Sequence, residues 1–201
     1  MAYYNDLKKY GTKTAIIDKD ENEITYEELD KFCNKIGQVL DQRKLVFSFC
    51  ENSIGSICGY VAFLYNSVVP VLLDKHIEKD LRRNLISIYQ PDYLYIPEEL
   101  VGDIETENPD IVCIYSGRNY RLYKTLFDQK HELYEELALL LTTSGSTGSP
   151  KLVRQSYKNI QSNAESIAAY LNIDDTERPI TTLPMNYTYG LSIINSHLLR
   201  G

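Results

Sequence analysis

Tryptophan is absent from this 201-residue chain, and 17 tyrosines carry most of its aromatic content, a bias we read as compositional. No apolar run approaches the length of a membrane-spanning helix. The opening residues, MAYYNDLKKYG, lack the apolar core of a secretory signal. Cys33, Cys50, Cys58 and Cys113 form no CxxC pair, and His76, His131 and His197 share no metal-ligand spacing with them. Common zinc and disulfide frameworks are thereby excluded. We expect the thiols to be buried and reduced, in a cytoplasmic protein. A basic excess is missing too. Twenty-one Lys and Arg against 28 Asp and Glu leave a net charge of −7, which argues against nucleic acid as the main partner. There is no internal repeat and no low-complexity tract. With 43% hydrophobic and 24% charged residues, the chain has the composition of a globular protein able to bury a sizeable core.

The pattern of elements alternates. Residues 15–18 read as a short strand and 20–23 as a polar turn. In ITYEELDKFCNKIGQVL, Thr25 and Glu28 have capping-box spacing, and Leu29, Phe32, Cys33, Ile36, Val39 and Leu40 share one helical face. LVFSFC (45–50) reads as a strand, residues 54–65 as a helix with Ile57, Cys58, Val61 and Ala62 on one side, and SVVPVLLD (67–74) as a buried strand. Leu81, Leu85 and Ile88 mark a helix that Pro91 stops. DYLYIP (92–97) and IVCIY (111–115) are further strands. Residues 124–137 read equally as a broken helix or a long connection. KLVRQSY reads as a strand, followed by a helix capped at Ser156, a strand at ITTLPM (180–185) and a last helix from YGLSIINSHLL. Such alternation predicts an α/β fold with a mostly parallel sheet and helices on both faces.

One stretch stands apart. LLLTTSGSTGSPK (139–151) runs from three leucines into six hydroxyl residues, two glycines, a proline and a lysine. Hydroxyls, backbone N–H groups and an ammonium suit a phosphate, and glycine lets the backbone approach closely. It is not a Walker A loop. The glycine spacing is wrong, Leu152 follows the lysine, and a strand is predicted next where a helix would be needed.

The stretch resembles the phosphate loop of the adenylate-forming, AMP-binding enzymes. These are the acyl- and aryl-CoA synthetases, peptide-synthetase adenylation domains and luciferase. Leu140, Thr143, Ser144, Gly145, Ser146, Thr147, Gly148, Pro150 and Lys151 fit every position of that pattern. The TY-x-EL helix, the PVLLD strand and TLPMNYTYGLS are similar to further family segments in the same order, so the resemblance spans most of the chain except about 98–136. It departs at Leu152, where glycine is usual, at Asn66, and at Asn186 and Tyr187, where an aromatic and a histidine are common.

The resemblance implies an N-terminal subdomain over 1–175, ending with the loop and its following helix. Residues 176–201 would begin the next subdomain. It implies ATP and Mg2+ as cofactors, a carboxylic acid as substrate, and CoA or a carrier-protein thiol as acceptor. Thr143, Ser144, Gly145, Ser146, Thr147, Gly148 and Lys151 would bind the nucleotide, Lys151 also acting in catalysis. Tyr187, Tyr189 and Gly190 would face the acid, although the tyrosines read equally as packed aromatics. No metal ligand is expected in the chain. The magnesium carboxylate, the ribose aspartate and a second catalytic lysine are expected beyond Gly201. The chain is therefore expected to be an inactive N-terminal part of an AMP-forming acid–thiol ligase, with 180–201 poorly packed and open to self-association. A peptide-synthetase adenylation domain, a non-catalytic nucleotide-binding module and an interaction protein are the alternatives.

Overall fold

The computed structural model describes residues 2–142 and 151–201. In chain order the strands and helices are β1 (Thr14–Ile17), β2 (Glu23–Thr25), α1 (Tyr26–Gly37), β3 (Leu45–Cys50), α2 (Ile54–Tyr65), β4 (Val69–Asp74), α3 (Lys79–Tyr89), β5 (Tyr93–Pro97), α4 (Val101–Glu107), β6 (Val112–Gly117), β7 (Tyr120–Lys124), β8 (Leu137–Thr142), β9 (Leu152–Ser156), α5 (Tyr157–Tyr170) and α6 (Thr188–Arg200). Strands β1 and β2 form a hairpin, and the other seven form one sheet in the order β6-β7-β5-β3-β4-β8-β9.

The centre of the sheet is parallel. β3 pairs in parallel with β4 and β5, and β4 with β8. All six residues of β3 are buried, which explains why its run is apolar except for Ser48. Val46 and Cys50 point to a core under α1, α2, α5 and α6, whereas Leu45, Phe47 and Phe49 point to a second core under α3 and α4. Helix α2 is apolar nearly all round because it lies within the first core, with Ile54 to Leu64 all buried. The capping box forms. Thr25 Oγ1 accepts from the Glu28 N–H at 3.2 Å, and the Glu28 carboxylate accepts from the Thr25 N–H at 2.8 Å. Ser156 caps α5 in the same way with Asn159. Among the described residues no helix is long and apolar enough to cross a membrane.

Three readings need correction, and one open choice is settled. The sheet is mixed, because β5–β7, β6–β7 and β8–β9 are antiparallel. The β6–β7 hairpin turns on Arg118 and Asn119, both left-handed (φ 55° and 60°), without the glycine that usually marks such a turn. Residues 125–134 are the long connection. Residues 180–185 form no strand, since no second strand runs beside them among the described residues. Cys113 is exposed, because it lies on edge strand β6, whereas Cys33, Cys50 and Cys58 are buried. Burial pushes the Cys50 and Cys58 thiols up to about 12, so neither is a ready nucleophile.

The last segment packs better than expected. Ile180, Leu183, Tyr187 and Tyr189 are exposed, but α6 buries Leu191, Ile194 and Leu198 in the first core. Gly190 permits this. A Cβ there would lie 2.3 Å from the Pro184 carbonyl oxygen and 2.6 Å from that of Leu183. Gly190→Ala should therefore lower stability by about 1–3 kcal/mol, read as a drop in thermal midpoint.

Arg82 on α3 and Glu107 at the end of α4 form a bidentate pair, their side chains 3% and 1% exposed, with bonds of 2.6 and 3.1 Å. Burial pushes the Glu107 carboxyl up, but hydrogen bonds from Arg82 and Lys79 outweigh it and hold the carboxyl below its ordinary range. Its folded-state pKa is depressed, so its contribution to stability is present above the unfolded carboxylate value and lost as pH falls through the folded one. Arg82→Met should cost about 3 kcal/mol or more in urea unfolding and flatten the acid limb of the stability profile. A variant as stable as the parent at neutral pH would refute this assignment.

Candidate functional site

The loop singled out in the sequence is carried on a hairpin. β8 and β9 pair from Leu137 opposite Ser156 to Thr142 opposite Leu152, so residues 143–151 connect two facing strand ends. Thr143, Ser144, Gly145, Ser146, Thr147 and Gly148 lie outside the described residues. Lys151 is exposed and directly precedes β9. The element that follows the loop is strand β9 and not a helix. Strand β8 runs parallel to β4, and the loop therefore leaves from the carboxyl edge of the parallel strands, where open α/β sheets bind ligands.

Other polar groups gather at this edge. Lys75, just after β4, bonds Glu51 at 2.6 Å and Glu99 at 2.8 Å. Burial pushes its ammonium down, but the two carboxylates outweigh this and hold it above its ordinary range. Its charge is already neutralised locally. Asn52, just after β3, uses its whole side chain on a distant segment. Its amide donates to the carbonyls of Thr181 (3.2 Å) and Leu183 (2.9 Å), and its Oδ1 accepts from the Met185 N–H (3.0 Å). That clamp fixes the approach to α6. The sequence held no signal for it, since a lone asparagine before a helix cap reads as loop.

Tyr187 and Tyr189 flank the start of α6, 48% and 77% exposed, and are not core aromatics. Gly190 is buried against the Leu183 and Pro184 carbonyls. None of the three lines a cavity of about 420 Å³ that lies between α5 and α6. Thr188, Leu191, Ser192 and Asn195 of α6 do line it, with Leu139 and Leu141 of β8, Gln155 of β9, and Asn159, Ile160 and Asn163 of α5. The strand that leads to the loop thus forms the floor of a pocket walled by α6. Among the described residues no lining side chain is titratable, so this part of the pocket suits an uncharged group. Ser192 bridges its rim to Asn163 at 3.2 Å. Among the described residues no three His, Cys, Asp or Glu side chains are grouped as a metal site.

Comparison with known proteins places the chain. It is 36% identical over 166 residues to 3,4-dihydroxybenzoate–[aryl-carrier protein] ligase of Bacillus anthracis, covering 83% of this chain and 34% of that one. It is 25% identical to 2-succinylbenzoate–CoA ligase of Bacillus mycoides, covering 94% of this chain and 39% of the relative. In structure it is similar to apo MatB from Rhodopseudomonas palustris, with a TM-score of 0.78 at 20% identity over 98% of this chain and 43% of that one. It is also similar to the Bacillus subtilis o-succinylbenzoate CoA synthetase in complex with AMP, with a TM-score of 0.71 at 19% identity over 98% and 53% of the two chains. The chain spans about a third to a half of the length of these four proteins. A family model of AMP-binding enzymes matches residues 4–201, and the chain belongs to that adenylate-forming family.

Proposed function

We propose that the protein containing this chain is an ATP-dependent acid–thiol ligase. The substrate carboxylate attacks the α-phosphorus of ATP, the bond to the β,γ-pyrophosphate breaks, and an acyl-adenylate forms. A thiol then takes the acyl group and releases AMP. Relatives named as carrier-protein and CoA ligases support a thiol acceptor. Support for ATP comes from a MatB neighbour solved with ATP bound.

The observation that carries the reading is the nine-residue loop, 143–151, mounted on the β8–β9 hairpin at the carboxyl edge of the parallel strands. Its donors are chemically suited to a polyphosphate. The hydroxyls of Thr143, Ser144, Ser146 and Thr147 and the Lys151 ammonium would hold the departing phosphates, with Gly145 and Gly148 letting the backbone come close. None of these groups is a base. A carboxylate nucleophile is already ionised at neutral pH. Magnesium, when bound, neutralises phosphate charge, and its ligands are proposed to lie in the remainder of the parent. The 201-residue chain alone is proposed to be inactive.

The test is ATP–pyrophosphate exchange with a broad panel of carboxylic acids, on the longest reading frame containing this chain. Exchange dependent on one acid class is expected. Lys151→Ala should slow it by about ten- to two-hundredfold, the loss of one charge-assisted contact in the transition state. Silence with every acid would overturn the reading. Unchanged kinetics in the variant would remove Lys151 from the site.

A further inference from the structure

Segment 180–185 has the composition of a strand, and one of its two edges is already taken. Asn52 bonds the carbonyls of Thr181 and Leu183 and the Met185 N–H, so it meets every second residue, as a neighbouring strand would. In an extended chain the backbone groups of the residues between face the opposite way. Those residues, Ile180, Thr182 and Pro184, are all exposed, Ile180 to 88%. Among the described residues nothing bonds the backbone of Ile180 or Thr182.

Beside this open edge lies a groove of about 520 Å³. Ile16, Ile54, Ile57, Ile193, Ile194 and Leu198 make its floor aliphatic, and the exposed Ile17 and Ile180 line it too. Strand β1 borders it with a second open edge, because β1 pairs with β2 alone, and a lone two-stranded hairpin is marginally stable. Ile180 and Gly201 both line the groove, so α6 runs back until its end stands near the start of the segment. A segment followed by such a helix is the first two parts of a strand–helix–strand unit, whose third part is a parallel strand. We propose that in the parent an apolar strand directly after Gly201 enters this groove, pairs in parallel with the open edge at 180–182, and covers Ile17 and Ile180. The chain spans about a third to a half of the compared proteins, so the parent has room for it. Asn52, just after β3, then ties this second sheet to the edge from which the phosphate loop leaves. The proposal rests on the reading of the chain as part of a longer ligase.

Amide hydrogen exchange tests it, on the 201-residue chain and on the longest reading frame that contains it. The Ile180 and Thr182 amides should exchange about a hundredfold or more slowly in the longer protein, the difference between an open segment and a strand held in a ladder. Thr182→Pro removes one outward donor and leaves the groups that Asn52 holds in place. It should lower the thermal midpoint of the longer protein by several degrees and leave that of the 201-residue chain unchanged. Ile180→Asp, which puts a charge at a position exposed in the shorter chain, should show the same split. Equal exchange in the two lengths, or variants that destabilise both alike, would overturn the proposal. So would a reading frame that stops at Gly201, or protection in the 201-residue chain that grows with its concentration, the mark of a second copy in the groove. Slow amides in a longer protein that is silent in pyrophosphate exchange with every acid would uphold the groove and refute the ligase reading alone.

Discussion

Parallel pairing of β3, β4, β5 and β8 is the constraint from which the rest follows. Parallel neighbours cannot be joined by a tight turn, so each connection must cross a face of the sheet, and α2 and α3 do so. The crossovers bury both faces, and all six residues of β3 are buried. They also bring the carboxyl ends of the strands to one edge. Asn52 follows β3, Lys75 follows β4, and the hydroxyl-rich loop follows β8. These groups come from distant parts of the chain, and strand direction alone makes them neighbours.

The same constraint explains what could be read from the sequence. β3 and α2 were legible because their signals are local, a mostly apolar β-prone run and an apolar helical face at Ile57, Cys58, Val61 and Ala62. The β6–β7 hairpin was not legible. Its turn uses Arg118 and Asn119, where no glycine marks the left-handed conformation, and a register shift between Cys113 and Tyr115 breaks the alternation of β6. Residues 180–185 have strand composition but no strand to pair with among the described residues. A ladder is a property of two segments, and one segment cannot announce it.

The candidate site divides along the same line. The loop is written in consecutive residues, so its chemistry shows in the sequence. Asn52 and Asn195 act through contacts 129 to 192 residues away, and nothing beside either residue marks it. Gly190 was picked out by resemblance, and the structure adds a physical reason for it. The backbone of 183–184 lies where any side chain would stand.

Charge then sets direction at the site. The chain carries −7 overall, which opposes a polyanionic ligand, but fields of exposed charges fade beyond about 8 Å at physiological ionic strength. Local donors therefore outweigh the net charge at the loop. The Lys75 ammonium, closed off by Glu51 and Glu99, adds little there, which leaves Lys151 and the hydroxyls as the proposed phosphate contacts. Along α6 the polarity runs the other way. The start of a 13-residue helix favours an anion, whereas the cavity wall two turns further in offers only neutral groups.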